Sequence, residues 1–363
     1  MLTPEDIKAT LCQLHIEHLE HEQWNDLFRV LRHKSMAASF YLRLQRVGKE
    51  SLIPESIKPA FLSAVTFAEA QTRQVRIQLK KLSLLFATHQ IEFVMLKGAA
   101  YVAADTPNSE GRLMSDIDIC VRHSELPDTE RALLNTGWQI KELDDYDEKF
   151  YRQWCHEIPP YKHPFDGVSL DVHHTLFPPV ANKSIDTAAL YKSARPGVYG
   201  AKYPGVEWLV FHSTIHLIAN EDAENGLRDL TDIYELLTYY EHTIDYQRLS
   251  ELFYQSGFVM EFALIRQLLL EYFAYQVPSG KITDKCTESL WFNLRLWAVR
   301  WAICPASEYI AGSQRPVPRM LNYLVGYASK MPILLLIRHL GYKSAKSIIR
   351  FLLGEFYFRK KSK

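Results

Sequence analysis

The chain has 363 residues, 47% of them hydrophobic, and its 42 basic residues balance 42 acidic ones for a formal net charge of +0. This length suits two or three domains with sizeable cores, and the even charge removes the global electrostatic reason to expect a nucleic-acid polymer as partner. Five scattered cysteines (Cys12, Cys120, Cys155, Cys286, Cys304) lack Cys-x-x-Cys spacing, which argues against a disulfide framework or zinc site and for a reducing cytosol.

Residues 1–89 read as a helical region. Thr3-Pro4-Glu5-Asp6 is a helix start, with Thr3 as N-cap, Pro4 in the first turn and acids at the positive dipole end. Polar sequence directly after Met1 gives no signal peptide, and no apolar run reaches the roughly 18 residues that span a bilayer. The expected location is cytoplasmic. Leu27, Val30 and Leu31 share one helical face, a second helix covers 64–85, and Pro54 and Pro59 punctuate the turn between them.

A small sheet is expected over 90–177. Ile91-Glu-Phe-Val-Met-Leu-Lys-Gly98 is a strand-length apolar run closed by Lys97-Gly98 and followed by helix-forming alanines. Gly98 lets the backbone turn sharply and approach a ligand. The amides opening the next helix, with Lys97 beside them, suit an anion such as a triphosphate.

Next comes Arg112-Leu-Met-Ser-Asp-Ile-Asp-Ile-Cys-Val121. A strand puts residues i and i+2 on one face, so Asp116 and Asp118 project together while Ile117, Ile119 and Val121 point into a core. Two carboxylates so close raise each other's pKa unless a cation lies between them, and Mg²⁺ is the usual cation where phosphates are handled. Taken alone, the pair also fits an edge strand with an acidic solvent face. After a helix over 126–136 and a strand over 138–143, Gly167-Val-Ser-Leu-Asp-Val-His173 alternates as a strand does, with Asp171 facing the same way as Ser169 and His173. A third carboxylate on a neighbouring strand completes a two-metal site. The segment 178–206, rich in Pro and Gly, reads as an irregular linker, and 207–363 as a C-terminal helical domain.

The order Leu96-Lys-Gly98, Arg112-x-x-Ser-Asp-Ile-Asp118, Gly137-Trp138, then His156-Glu-Ile-Pro-Pro-Tyr-Lys-His163 and Leu170-Asp-Val-His-His174 resembles the DNA-polymerase-β-type nucleotidyltransferase superfamily. It resembles more narrowly the bacterial group called uncharacterised nucleotidyltransferases. Ile215-His216 and Leu227-Arg-Asp-Leu-Thr-Asp-Ile-Tyr234 are similar to that group's helical portion, so the likeness covers about 91–237. It implies an α+β fold, a small mixed sheet flanked by N- and C-terminal helical regions, with Asp116, Asp118 and Asp171 as metal carboxylates. It also implies Mg²⁺ (or Mn²⁺) as cofactor and transfer of a nucleoside monophosphate from an NTP, with release of pyrophosphate. One departure is that the superfamily carries Gly-Ser where this chain has Lys97-Gly98, and the spacing to the first aspartate is longer here.

With the resemblance, Arg112 reads as a bidentate triphosphate ligand. Ser115 either bonds a phosphate or ends the preceding loop, and His173 either contacts a phosphate, orients Asp171 or packs. His156 and His163 flank the stiff Pro159-Pro160 link and either pack or shape an acceptor pocket; a His-based metal site is disfavoured by spacing. Asp229 and Asp232 share a helix face, read as a salt-bridged surface in preference to a wall over the nucleotide.

From 330 to 363 there are nine Lys/Arg against the single acid Glu355. This basic amphipathic tail either docks on the body or lies on an anionic inner-membrane surface. The function read is Mg-dependent nucleotidyl transfer to an unidentified small-molecule, glycan or protein hydroxyl. The alternatives are a catalytically silent nucleotide-binding module of the same fold and a membrane-surface scaffold.

Overall fold

Thr3 Oγ1 accepts the Asp6 backbone N–H while the Asp6 carboxylate accepts that of Thr3, so helix α1 (Pro4–Ile7) begins with a reciprocal cap. Helices α2 (His21–His33), α3 (Ala37–Arg46) and α4 (Lys58–Thr88) follow. The helix expected over 64–85 is the middle of a longer one. Its N-terminal end carries Phe61, on which Trp24, Phe28, Phe40 and Tyr41 converge with ring centroids 4.9 to 6.4 Å away. The computed structural model describes residues 1–140, 143–220, 223–280, 282 and 287–353. The expected strand residues 141–142, Cys286 and the end of the basic tail (354–363) lie outside the described residues.

The next elements are β1 (Phe93–Leu96), α5 (Lys97–Ala104), β2 (Ile117–Val121), α6 (Leu126–Asn135), β3 (Gln139–Ile140), α7 (Asp145–Trp154), β4 (Tyr161–Lys162) and β5 (Ser169–His173). They form a five-stranded mixed sheet in the order β1-β2-β5-β4-β3. Only β2 and β5 pair in parallel; the other neighbours are antiparallel. A parallel pair needs a long crossover, here α6 through β4. β2 is an interior strand, buried along its whole length, so the edge-strand reading of the two acids fails. The parallel register sets Asp118 opposite Asp171.

The segment 178–206 is more ordered than a linker. It holds α8 (Thr187–Ser193) and a two-stranded ribbon of β6 (Arg195–Pro196) and β7 (Lys202–Tyr203), with Leu190, Tyr191 and Ala201 buried. Its glycines serve packed turns: a Cβ on Gly197 would lie 2.4 Å from the Ala103 carbonyl oxygen, so only glycine admits this approach to α5.

Helices α9 (Val206–Ile218), α10 (Gly226–Tyr239), α11 (Tyr246–Gln255), α12 (Val259–Phe273), α13 (Leu290–Ile303), α14 (Pro316–Lys330) and α15 (Ile333–Leu353) complete the chain. α9 is buried on nearly every face, as a helix apolar all round should be, and packs against α5, α10, α11 and α12. One buried cluster therefore runs from the N-terminal helices through the sheet to α13. Among the described residues no helix is long and apolar enough to cross a membrane.

Candidate active site

The parallel β2–β5 register sets two of the acids opposite each other. Asp116 immediately precedes β2, Asp118 is its second residue, and Asp171 lies across from Asp118 on β5. A fourth acid, Glu157, is carried in by a bridge between Glu157 and His173, where Ile158 N–H bonds the Val172 carbonyl at 3.0 Å. Glu157 was not among the expected site residues. Its signal lay in the sequence beside His156, but only the bridge to β5 makes it a neighbour of the aspartates.

The electrostatics follow from this crowding. Burial, then repulsion from Asp118, Glu157 and Asp116, pushes the Asp171 carboxyl up to about 7. Burial and Asp118 likewise raise Asp116, against which Ser115 Oγ donates a bond of 3.0 Å. Asp118 goes the other way. Burial alone would raise it, but Lys97 and His173 outweigh burial and hold it well below the usual carboxylate range. Lys97 Nζ is 2.7 Å and His173 Nε2 is 3.0 Å from Asp118 Oδ1.

Two expected phosphate ligands are thus placed differently from their sequence reading. Lys97 does not stand free beside an anion site; its ammonium is bound to Asp118. Lys97, not Gly98, takes the left-handed backbone, with φ of 46°, a conformation that costs a residue with a Cβ of order 1 kcal/mol. Gly98 instead provides space, since a Cβ there would meet Arg112 Nη1 at 2.6 Å and the Met114 side chain at 2.8 Å.

Arg112 is buried and donates from Nε to Asp232 Oδ2 at 2.7 Å, with Asp229 3.8 Å from Nη2. Burial would lower its pKa, yet the two acids raise it, while burial lifts Asp232 to about 6 against the pull of Arg112. The salt-bridged reading of the α10 face holds, and the same face also walls the site. Asp229, Asp232 and Arg228 line a cavity together with Lys97, Gly98, Asp116 and Asp118.

Asp116, Asp118, Asp171 and Glu157 repel one another, and Lys97 and His173 outweigh that repulsion at Asp118. Among the described residues the three aspartates do not gather three donor atoms within 4.8 Å; the set that does is His156, Glu157 and His173. Burial and His173 hold His156 well below its ordinary pKa, which favours the uncharged ring. Nδ1 of His156 and of His173 has no hydrogen-bond partner among the described residues. These three donors meet through the Glu157–His173 bridge, which residue spacing in the sequence does not encode. His163, by contrast, is removed from the cluster, 3.4 Å from Asp166 and edge-on to Trp138.

No curated protein matches the chain. A solved structure, an antigenic nucleotidyltransferase-like protein from Paracoccidioides brasiliensis, is similar at 14% identity over 59% of this chain and 98% of that one, with a TM-score of 0.35. The family described as "Uncharacterised nucleotidyltransferase" matches residues 20–274, and the chain belongs to it.

Proposed function

We propose that this protein transfers a nucleoside monophosphate from an NTP to an acceptor hydroxyl. The hydroxyl oxygen bonds the α-phosphorus, the bond from that phosphorus to the pyrophosphate oxygen breaks, and the electron pair leaves on pyrophosphate. The observation that carries the reading is the register of Asp118 against Asp171, with Asp116 and Glu157 beside them.

Asp116, Asp118 and Asp171 would hold Mg²⁺ or Mn²⁺, which supplies neutralisation of the triphosphate and acidification of the attacking hydroxyl. The crowding that raises Asp171 to about 7 in the metal-free chain favours a cation there, which would return the group to its ionised form. Gly98 presents bare backbone to the cavity at the positive end of α5. Lys97 keeps Asp118 ionised and oriented. Arg112, held by Asp232, braces the wall and Gly98 in place of gripping phosphate.

Titration calorimetry with each NTP and Mg²⁺ or Mn²⁺, paired with a pyrophosphate-release assay, tests the reading. Asp116→Asn and Asp118→Asn should abolish metal-dependent NTP binding and release while circular dichroism stays unchanged; parental turnover in either variant would sink it. A second reading is a nucleotide-binding module without turnover. The engagement of both Lys97 and Arg112 by acids favours it, and metal-dependent NTP binding without pyrophosphate release under any acceptor would select it.

A further inference from the structure

A second cleft, of about 370 Å³, opens between α7 and the α14–α15 pair, within the size range of small-molecule sites. Its residues are all different from those of the Lys97–Asp229 cavity. The two nonetheless meet at the acids. His156 and Glu157 line the cleft, and Glu157 Oε2 lies 3.5 Å from the same His173 Nε2 that reaches Asp118. Tyr151 on the cleft wall is close enough to Glu157 and Asp171 for both to suppress its ionisation, after burial. Lys330 joins the two spaces, lining the cleft while donating to Asn220 of the other cavity at 3.3 Å.

In-line displacement needs the attacking oxygen and the departing pyrophosphate on opposite sides of the phosphorus. The two cavities border the acids at separate residues, one at Asp116 and Asp118 and the other at Glu157, and so offer nucleotide and acceptor separate entries. The composition of the cleft describes its occupant. Phe150, Tyr151 and Trp154 on α7 line it with Tyr327 on α14 and His339 on α15; Phe150 packs on His339 with ring centroids 4.3 Å apart, which leaves the half-buried Tyr151 and Trp154 as the α7 rings with surface to offer. Electron-rich aromatic faces take the polarised C–H face of a saturated ring, and Glu157 and His156 take hydroxyls. Among the lining residues Lys330 and Lys343 offset Asp147 and Glu157, Lys343 is already paired with Asp147, and Arg338 lies over the Trp154 ring, an arrangement with little grip on a polyanion.

Resting on the transferase reading, we propose that this cleft is the acceptor site and that it takes a neutral ring polyol of the sugar or cyclitol class, stacked on the α7 aromatics. One ring hydroxyl then points past Glu157 toward Asp171. Its oxygen forms the bond to the α-phosphorus, its proton passes to solvent water, and pyrophosphate leaves with the electron pair on the α10 side. The basic C-terminal helix thereby acquires a role as the outer wall of a substrate site. It is held to α7 by Lys343–Asp147 at 2.6 Å, by Lys346 on Asp144 and Asp147, and by Tyr146–Tyr342 stacking at 3.8 Å.

Saturation-transfer NMR on the full chain tests this, with methyl β-glucopyranoside, methyl β-galactopyranoside and myo-inositol as probes and sorbitol as the acyclic control. At least one ring probe should receive saturation on its ring protons and sorbitol should not. Trp154→Ala and Tyr327→Ala should weaken that probe about tenfold or more, with Trp154→Phe restoring it and Mg²⁺–ATP affinity parental in all three. Asp116→Asn should lose ATP but keep the ring probe, so failure of the transferase reading is separable from failure of the cleft assignment. Absence of saturation for every ring probe, equal saturation of sorbitol, binding that survives Trp154→Ala and Tyr327→Ala together, or binding of oligouridylate in place of the ring probes would each overturn the proposal.

Discussion

Arg112 and Asp232, 120 positions apart in the chain, form a buried ion pair of 2.7 Å that ties the loop before the Asp-x-Asp strand to helix α10. Removing one partner leaves the other charge buried and uncompensated. Asp232→Ala should therefore lower unfolding free energy by about 3 kcal/mol, whereas Arg112→Met with Asp232→Leu should cost less than either single change. Urea denaturation of the three variants checks both statements. An Asp232→Ala variant as stable as the parent would mean that Asp229 alone suffices.

Gly98→Ala places a methyl group where Arg112 Nη1 and Met114 now lie. Met114 can turn aside, but Arg112 is pinned by Asp232. The expected loss is about 1–3 kcal/mol, accompanied by weaker NTP binding because the cavity wall shifts. Chemical denaturation and calorimetry measure the two effects separately.

Asp171 gives a pH signature in metal-free protein. Its folded value of about 7 lies above the roughly 3.9 of an unfolded aspartate, so between these limits the native state holds the proton more tightly. The group's contribution is then largest near pH 4, shrinks as pH rises, and is gone above about 7. Asp171→Asn should flatten this part of the stability–pH profile and raise the melting temperature at about pH 8 by a few degrees. Differential scanning calorimetry in chelator is the measurement, and a profile as steep as the parent's would place the titration elsewhere.

Lys97 is the nearest cation to the acidic cluster among the described residues, at 2.7 Å from Asp118. Lys97→Met should destabilise the metal-free protein by about 3 kcal/mol, as loss of one partner of a buried pair does. It should also make the stabilisation by added Mg²⁺ larger than in the parent, because the ion then neutralises more unscreened charge. Thermal melts across a Mg²⁺ titration compare the two; an equal or smaller shift would show that Lys97 and the cation do not share that task.

Charge reversal at Asp144 and Asp147 sets like charges against Lys343 and Lys346. Partly exposed pairs contribute only about 0.2–1 kcal/mol each, so global stability should change little. Local release of α15 should show instead as faster limited proteolysis within 333–353.

The local signals were legible in the sequence. The N-cap at Thr3, the helix over 126–136, the apolar run ending at Lys97-Gly98 and the i, i+2 spacing of Asp116 and Asp118 all reflect short-range geometry, and α6 begins where its pattern predicted. The ribbon inside 178–206 was hidden because Pro and Gly mark turns equally well in packed and loose chain.

Sequence alone put Asp118 and Asp171 on strands of a small α+β core, with Asp116 now found one residue before its strand, because side-chain alternation along a strand is a property of the residues in it. Only the tertiary structure decided that β2 and β5 are parallel neighbours with Asp118 opposite Asp171, that Glu157 and His156 join them, and that Lys97 and Arg112 are claimed by carboxylates. Those outcomes depend on contacts between segments 16 to 120 residues apart. Which of several nearby acids captures a buried cation is settled by the packing that excludes water from one pair and not another, and no local pattern carries that information.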